Sequence, residues 1–193
     1  MATQTPTLHL GLADEGRAVS SEEFADATFD EPWKYEREGG RLIVLAPSGE
    51  EHIDASEPWL ERLIFFKRDH PGVIQRVVPE AWLRVDGGTD RIGDIGVFLV
   101  ADGPVPKIPD RVPDMMFEIV SPDKKSRERD YVKKRADYHR FGVKEYVIVD
   151  RFRRTATVLT HTPDGYEERV LSVGEAYESP LLPGLSIRLA EVF

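Results

Sequence analysis

The run Pro113-Asp114-Met115-Met116-Phe117-Glu118-Ile119-Val120-Ser121-Pro122 has the length and apolarity of a strand, yet it carries a glutamate among Met116, Phe117, Ile119 and Val120. An ionised carboxylate buried without compensation is strongly unfavourable, so Glu118 needs a cation or a strand end that reaches water. A second acid, Asp94, opens the apolar stretch Asp94-Ile95-Gly96-Val97-Phe98-Leu99-Val100. If the two strands are neighbours, the carboxylates converge. Two acids about 4 to 6 Å apart raise each other's pKa unless a cation joins them. Oxygen ligation that retains water suits Mg2+ or Mn2+. Asp114 competes with Glu118 for this role, but after Pro113 it reads as the turn residue that begins the strand.

A lysine completes the set. Tyr131, Lys134, Tyr138 and Phe141 are spaced by three, four and three residues, which places Lys134 on the inward stripe of a helix following the Glu118 strand and turns Lys133 elsewhere. Its ammonium could align a water or stabilise charge developing on a phosphate. Equally, it could snorkel or pair with Asp130 one turn away. Between Lys124 and Lys144 basic residues outnumber acidic ones. This segment reads either as a solvated helix face with i,i+4 pairs or as a local phosphate-binding surface.

The elements that must position these groups follow from local signals. Ser20 and Glu23 form a capping box ahead of a short acidic helix. Gly39-Gly40 between Lys34–Glu38 and Arg41–Leu45 signals a hairpin. Trp59, Leu60, Leu63, Ile64 and Phe66 recur at helical spacing from Ser56 to about His70, with Pro58 in the first turn. Strands are expected over 73–78, 81–85 and 92–100, then over the Glu118 run, followed by a helix over 126–141 stopped by Gly142. Residues 145–150 read as a strand buried on both faces, and 155–160 with 166–173 as a hairpin turned at Pro163-Asp164-Gly165. The tail Pro180-Leu181-Leu182-Pro183-Gly184-Leu185-Ser186-Ile187 returns to the core. The order implies an α/β fold with a sheet of mixed direction. A loose segment is expected over 1–19 and a single domain over 20–193.

At 193 residues, with 40% hydrophobic and 32% charged residues, the chain has the composition of a soluble globular protein. No apolar run approaches the roughly 20 residues of a membrane helix. There is no cysteine, which excludes disulfides and thiolate zinc sites. The start has no basic region followed by an apolar one, so a signal peptide is not expected and the cytoplasm is the simplest location. A net charge of −9 speaks against non-specific coating of nucleic acid.

Several segments resemble one family in order: Tyr35-Glu36-Arg37-Glu38-Gly39-Gly40-Arg41-Leu42, Gly93-Asp94-Ile95-Gly96-Val97-Phe98, the run from Pro113 to Pro122, Asp130-x-x-x-Lys134-x-x-x-Tyr138, Gly142 to Asp150, and Ser179 to Leu185. They are similar to the Uma-two-type family of proposed bacterial restriction endonucleases, which resembles the PD-(D/E)XK, restriction-endonuclease-like nucleases. The resemblance implies a central mixed sheet flanked by helices and a divalent metal held by Asp94 and Glu118. It matches Glu36 to a recurrent glutamate of the family, which joins Asp94, Glu118 and Lys134 among the implied catalytic residues, and Lys134 to a helix lysine that replaces the strand lysine of classical nucleases. That strand position is Val120 here, and Gly93 stands where the family usually has proline. His52 resembles a histidine often found in the family, although by itself it reads as a lone surface residue. The implied activity is Mg2+-dependent hydrolysis of DNA phosphodiester bonds by a homodimer. The alternative is a catalytically inactive nuclease-fold module that binds nucleic acid or protein, with Glu118 paired to Lys134.

Overall fold

The computed structural model describes residues 7–193. In chain order the main elements are β1 (His9–Leu10), α1 (Ser21–Asp26), β2 (Thr28–Phe29), β3 (Lys34–Glu38), β4 (Arg41–Leu45), α2 (Glu50–Asp69), β5 (Ile74–Asp86), β6 (Thr89–Leu99) and β7 (Met115–Ile119). They continue with α3 (Lys124–Glu128), a π-helical turn (Arg129–Lys134), α4 (Arg135–Phe141), β8 (Glu145–Asp150), β9 (Thr155–Thr162), β10 (Gly165–Ser172), β11 (Ala176–Glu178) and β12 (Ser186–Arg188). The chain gathers into two compact units, one comprising the residues up to Ser48 with Arg84–Ile92, the other Gly49–Leu83 with Gly93–Phe193.

In the smaller unit, β3 and β4 form the expected hairpin, with Glu38 opposite Arg41. Gly39 and Gly40 at φ 58° and 74° supply the left-handed turn that matches strand twist. Ser20 Oγ accepts the Glu23 amide at 3.1 Å and Glu23 Oε2 accepts the Ser20 amide at 2.8 Å, so the capping box forms and α1 begins there. β3 pairs with the start of β6 at Arg37 and Asp90.

In the larger unit the strand order is β10-β9-β8-β7-β6. β6 lies antiparallel to β7, β7 parallel to β8, and β8 antiparallel to β9. Every residue of β7 and β8 is buried, as continuous apolar runs at the centre of a sheet require. On one face α2 sends Trp59, Leu63 and Phe66 into a core that includes Phe117, Ile119, Val147, Val149 and Tyr177. The Trp59 ring stands 5.8 Å from Phe117 and 5.6 Å from Tyr177. Burying such side chains stabilises the unit by about 1.5–3 kcal/mol each. Alternation along β7 then turns Glu118 to the opposite face, where Tyr138 of α4 meets Tyr146 edge-on at 5.0 Å. The tail packs as expected, with Leu182, Leu185 and Ile187 in the same core as Trp59.

Three elements differ from expectation. α2 starts at Glu50, after Gly49, rather than at Ser56; Glu50 and Glu51 occupy its first turn, where carboxylates favour the helix dipole, and Pro58 therefore sits inside it. The two strands expected around Pro79-Glu80 are one, β5, with Glu80 in a left-handed conformation at φ 50°. The helix expected over 126–141 is α3 and α4 joined by the π-turn, and it stops at Gly142, whose φ is 85°. Among the described residues no helix is long and apolar enough to cross a membrane.

Candidate active site

The ladder between β6 and β7 pairs Val97 with Met115, Gly96 with Met116 and Ile95 with Phe117. One step further sets Asp94 opposite Glu118, on the face turned away from Trp59. Side chains directly opposed in this way have Cβ atoms about 4.5–5.5 Å apart. Asp94 Oδ2 accepts the Ile119 amide at 2.7 Å, fastening the acid to the neighbouring strand.

The helical segment closes over the pair. Asp130, Lys134 and Tyr138 are its buried line, and the widened π-turn falls on the first two; such turns recur at functional sites. Lys134 Nζ donates to Glu118 Oε1 at 2.8 Å, and the Tyr138 hydroxyl donates to the same oxygen at 2.7 Å. Asp130 Oδ1 lies 4.0 Å from Lys134 Nζ. Tyr131, which the helical spacing places on the inward stripe, instead donates to Asp150 Oδ2 at 3.2 Å. The wider turn carries it around the axis.

His52 corrects the reading of a lone surface residue. Because α2 begins earlier than its apolar pattern, His52 lies in the helix, and its Nε2 stands 3.0 Å from Asp94 Oδ1. Both side chains are 17% exposed, against 3% for Glu118. Burial pushes the Glu118 carboxyl up to about 8, with Asp94 and Asp130 adding to the rise and Lys134 offsetting part of it. Burial also acts to raise Asp94, but the hydrogen bond and charge of His52, then Lys134 and the Ile119 amide, outweigh it and hold Asp94 below the usual carboxylate value. Two neighbouring acids are thereby driven apart in acidity, a pattern typical of sites that handle protons or cations.

No three metal-ligating side chains converge among the described residues. Asp94 and Glu118 offer a smaller oxygen set. It fits Mg2+ or Mn2+, since Mg2+ commonly binds through one or two carboxylates and completes its shell with water and phosphate oxygens.

Residues 21–190 match the family described as "Uma2: Putative restriction endonuclease". The chain belongs to this family. A crystal structure from Anabaena variabilis ATCC 29413, described as a "putative nuclease belonging to DUF820", shares the fold with a TM-score of 0.73 at 19% identity, covering 91% of this chain and 97% of that one. No curated protein matches the sequence.

Within the Uma2 family pattern, both departures have a physical account. A Cβ built on Gly93 would fall 2.0 Å from Met116 Sδ, so Met116 fills space that a proline at this position would need. Val120 is buried and its amide donates to Val149 O at 2.9 Å, while the ammonium beside Glu118 arrives from the helix. Asp114 precedes β7 and accepts the Leu99 amide and Lys144 Nζ, both at 2.8 Å, as expected of a residue that starts the strand. Glu36 is fully buried in the smaller unit, where it accepts Arg91 Nη1 at 3.2 Å and the Ile92 amide at 3.0 Å. In the sequence Tyr138 stands on the inward stripe and in the family-like segment, with nothing there to assign it a role.

Proposed function

We propose that the chain is a divalent-metal-dependent endonuclease hydrolysing DNA phosphodiester bonds. The buried juxtaposition of Asp94, Glu118 and the Lys134 ammonium carries this reading, and membership of a family described as restriction endonucleases supports it. Asp94 and Glu118 would hold Mg2+ or Mn2+. When bound, such an ion supplies Lewis-acid stabilisation of phosphoryl charge and makes water more acidic.

The chain's own residues then divide the remaining tasks. Lys134 positions the attacking water or balances charge on the phosphate. Tyr138 fixes Glu118 Oε1, and His52 and the Ile119 amide fix Asp94, as outer partners orient metal-binding carboxylates. Glu36 receives no step, since Arg91 and the Ile92 amide engage it. A homodimer is carried over from the family resemblance, with the cytoplasm as the simplest location, and sedimentation checks the assembly.

The test is cleavage of supercoiled, linear and single-stranded DNA with Mg2+ or Mn2+. Asp94→Asn and Glu118→Gln should each lower the rate by about a hundredfold or more; intact DNA under all these conditions overturns the reading. One observation favours the inactive-module alternative: Lys134 and Tyr138 both engage the same oxygen of Glu118. There Glu118→Gln changes stability alone.

A further inference from the structure

Arg151-Phe152-Arg153-Arg154 forms the turn between β8 and β9. Three arginines and an exposed aromatic at a hairpin tip stand out on a chain of net charge −9. Because β8 runs parallel to β7, with Glu118 paired to Ile148 and Ile119 to Val149, the turn leaves the sheet at the same end as Glu118. Phe152 is 49% exposed, and the Arg151 guanidinium carbon lies 4.5 Å from its ring centre. Arg151 Nη1 is held at 2.9 Å by Glu51 of α2. The Arg153 side chain is 69% exposed.

The turn is fixed rather than loose. The buried Asp150 accepts the amides of Phe152 and Arg153 on Oδ1, both at 3.1 Å. Its Oδ2 accepts Arg127 Nη2 at 2.6 Å and the Tyr131 hydroxyl at 3.2 Å. One carboxylate thus ties the turn to the helical segment. Beside it a depression of about 590 Å³ is lined by Lys124, Arg127, Glu128, Tyr131, Val132 and Arg153, in which the three cations outnumber the one acid.

We propose that this surface docks an unpaired segment of nucleic acid, with phosphates on Lys124, Arg153 and Arg154 and a base on the Phe152 ring. Cationic side chains complement the phosphate backbone, and an exposed aromatic ring takes the face of a base. In a duplex those faces are already stacked, so the ring selects a single strand or a splayed end. The proposal rests on the nuclease reading for its setting, since it names the substrate of that site.

The test avoids cleavage. The full chain, in EDTA, is titrated against a labelled oligonucleotide of about sixteen nucleotides, a length within the range of known single-strand sites, and against the same sequence as duplex, with anisotropy as readout. The single strand should bind more tightly than the duplex. Phe152→Ala should weaken single-strand binding by about tenfold, while Phe152→Trp retains it. Arg153→Glu with Arg154→Glu should flatten the salt dependence by about 0.7 in logarithmic slope per lost contact. Equal or tighter duplex binding, or unchanged affinity in a folded Phe152→Ala protein, overturns the proposal. If these binding effects appear but nothing is cleaved with Mg2+ or Mn2+, the nuclease reading falls and the docking surface stands. If DNA is cleaved but Phe152→Ala changes neither binding nor KM, the surface falls and the nuclease reading stands.

Discussion

Each unit buries a cluster of charges, and the two are built differently. In the smaller unit the acids meet guanidinium groups: Arg37 reaches Asp90 Oδ2 through Nε at 2.6 Å and Nη2 at 2.5 Å, and Arg91 reaches Glu36 and Glu38 at 3.2 and 2.9 Å. In the larger unit Lys134 meets Glu118 at 2.8 Å, with Asp130 at 4.0 Å, while Asp94 meets the imidazole of His52. Arginine stays charged and locks a carboxylate in a planar fork; lysine is a compact charge on a flexible stem. The first cluster is a structural clamp. The second leaves Glu118 pushed up to about 8 by burial, so near neutral pH it holds a proton that a further cation can displace.

The largest expected effect breaks the clamp. Arg37→Met leaves the buried Asp90 with the more distant Arg84 Nε at 3.6 Å and should cost about 3–5 kcal/mol in urea unfolding at neutral pH. Lys134→Met should be milder, about 1–3 kcal/mol at pH near 8, because Glu118 can take up a proton where Asp90 has lost a fork. This cost should shrink on acidification. A loss as large as that of Arg37→Met, and independent of pH, would show that the clusters are alike.

The last effect is a slope with pH. Glu118 has a folded pKa raised from 4.5 to about 8 by burial, so the folded state binds the extra proton between those values. Its contribution to stability is therefore fully present below about pH 4.5 and is lost as pH rises through about 8, at no more than about 1.4 kcal/mol per pH unit. Asp94, held below its ordinary value, acts oppositely: its contribution is present above about pH 3.8 and is lost as pH falls through its folded pKa. Glu118→Gln should remove the slope between pH 4.5 and 8 in denaturation curves and leave the acid limb.

Much of this was legible in the sequence where local chemistry decides. Gly39-Gly40, the Ser20 capping box, Gly142 and the uniform run of β8 each fix an element without distant help. Glu118 and Asp94 stood out because charge inside a strand demands a partner, and Lys134 because of its spacing. What the sequence hid depends on pairing and on exceptions to periodicity. His52 precedes the apolar stripe of α2, so nothing local signals that it reaches Asp94. The π-turn shifts Tyr131 off the stripe that regular helical spacing draws, and hands it to Asp150. The register of β6 on β7 is a long-range fact, and it alone sets Asp94 against Glu118.

The most direct measurement of the central claim is calorimetric titration of Mn2+ into the metal-free protein at pH 7, in two buffers of different ionisation enthalpy. The predicted result is a binding site that Asp94→Asn abolishes, with close to one proton released per ion as Glu118 gives up the proton its raised pKa retains. Absence of binding, or binding that survives Asp94→Asn unchanged, would contradict the account.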